Sequence, residues 1–470
     1  MPWKTHDEVT LRVDRLSYGG RGVGRVDGFV IFVADTAPGD VVRARLTNVK
    51  RSYAEAELVE LTTPGPDRVT PRCPHFGVCG GCLWQHIDYQ AQARAKQAII
   101  EESLAHLGGL RDLPIAPMMI VDEPWYYRNK MEFSFHPPDA LGLHQRGRWD
   151  AIINLDVCFL QSPLAVDVLR EVREFVRGRG ISCYDPRTHD GFLRHLVLRH
   201  GASTGEVLVG IITASGDFPD GAVLAQALVA AHPEITGIVW ATNVSRGNAV
   251  QVSSLQVLYG RPHIFERLRG LTFKIGLLTF FQPNSAQAER MIDVIRDFAA
   301  LSGRENVLDL YCGIGTFALA LAERARHVMG IELEPVAVDA ARENARLNHL
   351  EHVEFHAAPA GHLSAVLRGQ TPPDLVVLDP PRAGAGVHVM RHLGQLAPAR
   401  VLYVSCNPTT LAPDLRELVS HGYTITAVQP LDLFPHTYHV ECIVRLERQG
   451  RGAVDAPNSD QESGTGRRFA

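Results

Sequence analysis

Cys406 is the residue whose type and setting most clearly suggest covalent chemistry. It directly follows the mostly apolar run 401–405 and precedes Asn407 and Pro408. A cysteine thiolate is a nucleophile that forms covalent intermediates, whereas a single cysteine after an apolar strand is more often a small buried hydrophobic residue. The interpretation of Cys406 therefore depends on the residues that the fold places beside it.

Two carboxylates are candidates for that neighbourhood. Asp379 follows the apolar run 375–378 and opens the sequence Asp-Pro-Pro-Arg, and Glu441 begins the last predicted strand. Ligands bind outside the carboxyl ends of strands in open α/β sheets, so Asp379 and Cys406 should line one crevice. A carboxylate there can act as a general base, although a glutamate at a strand start is alone more often a surface residue. Together the three side chains favour nucleophilic catalysis.

A second pattern, upstream of these residues, predicts a nucleoside pocket. The predicted strand 306–310 runs into a turn that contains Gly313 and Gly315, and the next strand ends at Glu332. Glycines let the backbone turn tightly against a ligand, and an acid at the end of the next strand can accept hydrogen bonds from ribose hydroxyls. The same glycine spacing satisfies the dinucleotide fingerprint, so a nicotinamide-dependent oxidoreductase stays open as an alternative.

The elements that must position these residues alternate regularly from about Phe280 onward. Strand and helix patterns in alternation are typical of an α/β fold with a parallel, doubly wound sheet. The predicted strands are 306–310, 327–332, 375–378, 401–405, 424–430 and 440–446.

The rest of the chain predicts a multidomain protein. Residues 8–62 contain short strands with Gly and Pro turns, which is typical of a small antiparallel barrel. A helix over 89–107 leads into a region of alternating strands, and the polar, glycine-rich end predicts disorder. We expect a barrel over 1–62, an α+β region over 63–279, an α/β domain over 280–448 and a disordered tail over 449–470.

Four of the eight cysteines form a further pattern. Cys73, Cys79 and Cys82 lie within ten residues, and Cys158 is the natural fourth member. Eight cysteines in 470 residues are too sparse for a secreted disulfide framework, so a tight group favours metal binding. Four thiolates suit either zinc or an iron–sulfur cluster, and the spacing leaves both open.

Composition limits the functional classes without naming one. The hydrophobic share of 45% and charged share of 21% are ordinary for a globular protein, and a net charge of −5 argues against coating nucleic acid through bulk charge. The polar start and the lack of long apolar runs predict a cytoplasmic protein with no membrane partner. Residues 9–53 carry eight Lys or Arg against four acids, which fits a local phosphate contact or a solvated face.

The motifs taken together resemble those of the RNA (uracil-C5)-methyltransferases, specifically the bacterial large-subunit ribosomal RNA enzymes that carry an iron–sulfur cluster. Residues 8–62 similarly resemble the TRAM domain, an OB-like RNA-binding barrel. The matching segments span about 170 residues in the expected order and are 281–285, 309–315, 332, 379–382, 405–408 and 439–441.

This resemblance implies a function for each candidate residue. Cys406 would add to C6 of a uracil, the methyl group of S-adenosylmethionine would pass to C5, and Glu441 would remove the C5 proton. The methyl-donor pocket would include Gln282, Tyr311, Gly313, Glu332 and Asp379, with Glu332 on the ribose. The resemblance also favours a [4Fe-4S] cluster over zinc on Cys73, Cys79, Cys82 and Cys158.

The resemblance favours 23S ribosomal RNA as the substrate. Transfer RNA is less favoured because enzymes for that substrate generally lack the cluster and the barrel. Cytosine-C5 methylation requires a different cysteine context, and a noncatalytic RNA-binding or ribosome-assembly factor would not need Cys406, Glu441 and Asp379 together. No DNA partner is expected.

Overall fold

The computed structural model describes residues 3–247 and 249–449. The predicted tail over 449–470 lies outside the described residues apart from Gln449. The described chain forms a closed barrel, a central seven-stranded sheet, a two-stranded hairpin and a second seven-stranded sheet.

The amino-terminal strands close into a barrel in the order β1-β2-β3-β5-β4. Alternate side chains of β1 are buried, so one face of each strand fills the interior while the other contacts solvent. Closure leaves no free edge in the barrel. The strands are β1 Glu8–Leu16, β2 Gly22–Val26, β3 Phe29–Val33, β4 Val41–Val49 and β5 Tyr53–Thr63.

The central sheet has the order β12-β11-β10-β9-β6-β7-β8, with a following hairpin of β13 and β14. No helix of the described residues is long and apolar enough to cross a bilayer. The elements are α1 Tyr89–Gly108, β6 Lys130–His136, β7 Ala140–His144, β8 Ile152–Asn154, α2 Pro163–Arg179, β9 Leu193–His200, β10 Val207–Thr213, α3 Gly221–Ala231, β11 Ile235–Thr242, β12 Ser254–Gly260, β13 His263–Leu268 and β14 Leu271–Gly276.

The carboxyl-terminal sheet has the order β17-β16-β15-β18-β19-β21-β20, with helices between its strands. Its elements are α4 Ser285–Ala299, β15 Asn306–Leu310, α5 Thr316–Ala322, β16 His327–Glu332, α6 Pro335–Leu347, β17 Val353–Ala357, α7 Leu363–Val366, β18 Leu375–Leu378, α8 Gly386–Leu396, β19 Arg400–Ser405, α9 Pro408–Ser420, β20 Tyr423–Leu431 and β21 Glu441–Arg448.

The sequence prediction of this sheet needs two corrections. It omitted β17, an edge strand whose charged and polar side chains hide the strand pattern. It also treated the sheet as parallel throughout, whereas β21 runs antiparallel to both β19 and β20. A parallel neighbour requires a crossover of a dozen or more residues, and the connection 432–440 is shorter than that.

Helix α1 packs against α9 of the carboxyl-terminal domain, although it lies far from that domain in sequence. Its residues Ile100 and Leu104 share a hydrophobic core with side chains of β18, β19 and β21. Lys96 of α1 donates to Asp432 at 2.7 Å and to the carbonyl of Phe434 at 3.0 Å. Both charged side chains of the Lys96–Asp432 pair are 0% exposed.

We predict that Asp432→Asn lowers the free energy of unfolding by about 3–5 kcal/mol, because it leaves the Lys96 charge buried without its partner. Urea unfolding followed by fluorescence measures this. The control is Arg94→Ala, which breaks the exposed pair with Asp67 and should cost under about 1 kcal/mol. Equal losses in the two variants would contradict the assignment of Lys96 and Asp432 as a structural pair.

Candidate active site

The structure brings Cys406 and Glu441 to the same edge of the carboxyl-terminal sheet. Ser405, the last residue of β19, pairs with Cys442 of β21. Cys406 follows Ser405 and Glu441 precedes Cys442, so both lie next to this pair. Asp379 directly follows β18, the neighbour of β19. Cys406 is half-buried and Glu441 is only 4% exposed. The three side chains therefore meet as the sequence predicted.

Burial controls the protonation of this group. Burial, together with the charges of Glu441 and Asp379, raises the pKa of Cys406 to about 12. Burial also raises the pKa of Asp379 to about 7 and that of Glu441 well above its usual range, where Asp379 adds to the effect. The opposing charge comes from Arg382, which lowers the pKa of both Cys406 and Glu441.

Arg382 is a site residue to which the sequence prediction gave no function. Its carbonyl accepts from Asn407 Nδ2 at 2.8 Å and from Thr410 Oγ1 at 3.2 Å, so its backbone is fixed to the start of α9. Its guanidinium lies 3.4 Å from Nε2 of His439, whose pKa is lowered to about 4 by burial. The sequence feature that could have identified Arg382 is its position directly after Asp379-Pro-Pro, where a cation is close to buried acids.

A buried hydrogen-bond network fixes the loop that follows Arg382. Asp414 of α9 accepts from the Tyr403 hydroxyl at 2.6 Å and from the backbone N–H groups of Ala385 at 2.9 Å and Gly386 at 3.2 Å. Tyr403 and Asp414 are both almost fully buried. The loop after Asp379 is thereby tied to the helix that follows Cys406.

The predicted methyl-donor residues lie around the same edge. Gln282 donates to Asp379 at 3.3 Å, and its backbone carbonyl accepts from Asn129 Nδ2 at 2.7 Å. Tyr311, at the end of β15, has a φ of 63°, which a non-glycine residue adopts only where the surroundings enforce it. Burial raises the pKa of the Tyr311 hydroxyl.

Glu332 lies beside the glycine turn, as predicted, and holds that turn in place. One carboxylate oxygen accepts from the N–H of Gly313 at 3.0 Å, and the other accepts from Leu333 and Glu334. Gly313 has a φ of 53°, and the space where a Cβ would stand is open. The turn therefore has open space beside Gly313, next to the Glu332 carboxylate.

Asp309 is a second acid of this turn, and it is completely buried. One of its carboxyl oxygens accepts from the N–H of Ala318 in α5 at 2.8 Å, and the other has no hydrogen-bond partner among the described residues. Burial raises its pKa well above the usual value, and Asp379 and Glu332 add to the shift. Asp309 thus connects β15 to α5, and its burial disfavours the charged form.

The barrel also reaches the active-site edge, through Tyr18. Its ring makes an edge contact with Tyr438 at a centroid distance of 5.5 Å. Burial raises the pKa of Tyr18 to about 12, with further effects from Tyr438 and Cys406. No local sequence signal could have placed Tyr18 here, because the contact depends on how the barrel packs.

The four predicted metal ligands come close to one another without forming a metal site. Burial, with a smaller effect of the nearby cysteines, including Cys73 and Cys158, raises the pKa of Cys79 to about 11 and that of Cys82 to about 12. Across residues 3–247 and 249–449, however, no three His, Cys, Asp or Glu side chains are arranged to hold a metal ion. The [4Fe-4S] cluster is therefore not supported by the structure.

The fold and this site define a methyltransferase: an open α/β sheet with a nucleoside turn, and a TRAM barrel at the amino terminus. The family model described as tRNA (Uracil-5-)-methyltransferase matches residues 267–449, and the TRAM domain model matches residues 2–59.

Relatives and solved structures agree with this class. An uncharacterised RNA methyltransferase of Halalkalibacterium halodurans is 37% identical over 95% of this chain and 98% of its own, and one of Gloeobacter violaceus is 40% identical over 94% and 96%. The crystal structure of the Pyrococcus abyssi tRNA (uracil-54, C5)-methyltransferase in complex with S-adenosyl-L-homocysteine is 29% identical. It covers 93% of this chain and 100% of its own, with a TM-score of 0.75.

This chain belongs to the RNA (uracil-5-)-methyltransferase family and is an S-adenosylmethionine-dependent enzyme. The nicotinamide-dependent alternative, which the glycine spacing had left open, is thereby excluded.

We predict that Asp379 makes folding stability fall as pH rises. The buried carboxyl keeps its proton up to about pH 7, whereas the unfolded chain loses it near the usual value of 3.8. The folded state therefore binds more protons between these values, and wild type loses stability there relative to Asp379→Asn. Melting temperatures from pH 4 to 8 measure the difference. Glu323→Gln, at an exposed carboxylate, should not change the pH dependence, and an unchanged wild-type profile in Asp379→Asn would refute the prediction.

Proposed function

We propose that this enzyme methylates C5 of a uridine in RNA through a covalent intermediate on Cys406, with Glu441 as the base that removes the C5 proton. The observation that carries the proposal is the meeting of Cys406, Glu441 and Asp379 at adjacent strand ends. A thiol and a buried carboxylate side by side provide the nucleophile and the base that this reaction needs.

The chemistry follows from the weak nucleophilicity of uracil C5. Addition of the Cys406 thiolate to C6 places electron density on C5 through an enolate. S-adenosylmethionine, when bound, supplies the methyl group that C5 accepts. Glu441 then takes the C5 proton, and the C5–H electron pair re-forms the double bond as the bond from C6 to the Cys406 sulfur breaks.

The electrostatics of the site suit both steps. Because burial raises the pKa of Glu441, its carboxylate is a stronger proton acceptor than an exposed glutamate. The thiolate form of Cys406 is costly in the free enzyme, and Arg382 offsets part of that cost. Gln282, Tyr311, Gly313, Glu332 and Asp379 would hold the methyl donor, with Glu332 at the ribose.

We predict that Cys406→Ala abolishes methylation, since no other group can add to C6, while its melting temperature stays within a few degrees of wild type. RNA that contains 5-fluorouridine should form a covalent adduct with wild type, because fluorine cannot leave as a proton does. Gel analysis under denaturing conditions measures the adduct. The control, Cys183→Ala, changes a buried cysteine of the central region and should retain the adduct. An equal adduct with Cys406→Ala would contradict the mechanism.

We propose 23S ribosomal RNA as the substrate, because the cysteine motif resembles that of the large-subunit ribosomal RNA enzymes that carry an iron–sulfur cluster. Transfer RNA is a second candidate, favoured by the Pyrococcus abyssi enzyme, whose name specifies that substrate. That match covers 93% of this chain. Since so large a share includes the barrel, the barrel does not distinguish a ribosomal RNA substrate from a transfer RNA substrate. We also propose that the enzyme is cytoplasmic, and only the composition of the sequence supports this location.

Transcripts of the two RNAs distinguish the candidates. We predict that purified enzyme transfers radioactive methyl groups to 23S ribosomal RNA fragments and that digestion yields 5-methyluridine. Cys406→Ala is the control for background. Methylation of transfer RNA with no transfer to ribosomal RNA would reverse the assignment of the substrate and leave the chemistry intact.

We further propose that Cys73, Cys79, Cys82 and Cys158 hold a [4Fe-4S] cluster. Cys73, Cys79 and Cys82 lie within ten residues of the sequence, and the N–H of Gly81 donates to Cys79 Sγ at 3.3 Å; both observations support this proposal. Hydrogen bonds to sulfur tune such clusters, and a bound cation would relieve the repulsion between four thiolates.

Anaerobic purification tests the cluster. We predict a brown protein that contains iron and acid-labile sulfide, and a colourless one after Cys82→Ser, because three thiolates cannot complete the ligand set. Cys312→Ser, at a buried cysteine distant in sequence, should stay brown. Zinc without sulfide would refute the cluster.

A further inference from the structure

The segment that leads into Glu441 is a connection between β20 and β21 without helix or strand. We call residues 432–440 the Glu441 loop. Most of its residues are buried, and His436 near its centre has a φ of 63° and is only 3% exposed. A non-glycine residue in this conformation needs contacts that enforce it.

Two backbone hydrogen bonds to His436 come from the segment that carries Cys73, Cys79 and Cys82. The N–H groups of Leu83 and Trp84 both donate to the carbonyl of His436, at 2.9 and 3.0 Å. Leu83 directly follows Cys82. The conformation of the cysteine segment is thus connected to the centre of the Glu441 loop.

Gln92 of α1 fixes the same residue from another side. Its side-chain oxygen accepts from the N–H of His436 at 2.9 Å, and its Nε2 lies 3.2 Å from Nδ1 of the His436 ring. That Nε2 also donates to the carbonyls of Trp84 and Ile87, at 3.0 and 2.9 Å. The Gln92 side chain is 0% exposed, so each of these hydrogen bonds is protected from water.

Trp125 completes the surroundings of His436. The two rings are stacked with centroids 3.8 Å apart and planes at 22°. The guanidinium of Arg72, next to Cys73, lies 5.3 Å from the centroid of the Trp125 ring. Tyr127 donates its hydroxyl to the carbonyl of Pro435 at 3.1 Å, which fixes the residue before His436.

These contacts all originate from residues 83–127, outside the carboxyl-terminal sheet. The backbone at Cys406 and Asp379, in contrast, follows directly from β19 and β18, which pair with each other, and Asn407 ties it to the loop after Asp379. A disturbance around His436 should therefore reach Glu441, five residues further on, before it reaches the nucleophile.

We propose that Gln92 and Trp125 are positioning residues that place Glu441 for removal of the C5 proton. The inference rests on the proposed function of Glu441. Loss of either contact slows proton removal while formation of the Cys406 bond and methyl transfer proceed at nearly the wild-type rate. The methylated RNA then stays attached to Cys406.

The experiment uses the full chain and an RNA transcript that wild type methylates. Gln92→Leu removes the hydrogen bonds to His436 and keeps a buried side chain, and Trp125→Leu removes the stacking while Gln92 stays. Glu441→Gln is the reference for absent proton removal, and Gln90→Leu, at an exposed position of the same helix, is the matched control. The measurements are single-turnover methyl transfer, steady-state turnover and the fraction of protein that stays linked to RNA under denaturing conditions.

We expect Gln92→Leu and Trp125→Leu to lower steady-state turnover about tenfold, the effect of one lost buried hydrogen bond or comparable contact. Methyl transfer in a single turnover should change less than about twofold, and linked RNA should accumulate as in Glu441→Gln. Amide hydrogen exchange should become faster across residues 432–440. Gln90→Leu should match wild type in every measurement.

Equal slowing of methyl transfer and turnover, without linked RNA, would mean that Gln92 and Trp125 only stabilise the fold, and would overturn the inference. Accumulation of linked RNA in Glu441→Gln but not in the two variants would overturn it as well. If Glu441→Gln itself accumulates none, the proposed function of Glu441 fails first, which separates the two failures.

Discussion

The active site depends on one electrostatic constraint: a thiol and two carboxyl groups share a poorly hydrated sheet edge. Cys406, Asp379 and Glu441 each have a raised pKa because burial disfavours their charged forms, and the charge of Asp379 raises the pKa of Cys406 and Glu441 as well. Arg382 supplies the opposing charge. Burial thus favours the protonated forms of these groups in the free enzyme, whereas the proposed reaction uses the thiolate of Cys406 and the carboxylate of Glu441.

Parts of the chain that are distant in sequence meet around this buried group. The Glu441 loop contacts α1 through Lys96 and Gln92, the central region through Trp125 and the barrel through Tyr18. Each of these contacts adds packing or a hydrogen bond around a segment with no regular secondary structure of its own. A buried carboxylate can keep its position only if the backbone that carries it is fixed.

The sequence predicted the site well where local pattern determines structure. Cys406 and Asp379 follow apolar strands and Glu332 ends one, and the carboxyl ends of parallel strands lie at one edge of a sheet. The edge strand β17 was missed because its side chains are polar, and the direction of β21 was missed because only the length of the preceding connection reveals it. Tyr18, Gln92 and Trp125 could not be predicted, since their contacts arise from packing between regions that share no sequence signal.

The most direct test of the account is tritium release from RNA that carries uridine labelled at C5. In the proposed mechanism, removal of the C5 proton is the step that involves Cys406, Glu441 and the methyl donor together. The account predicts one tritium released to water for each methyl group incorporated, only in the presence of S-adenosylmethionine and not with Cys406→Ala. Methyl incorporation without tritium release would place the methyl group elsewhere on the nucleotide and contradict the account.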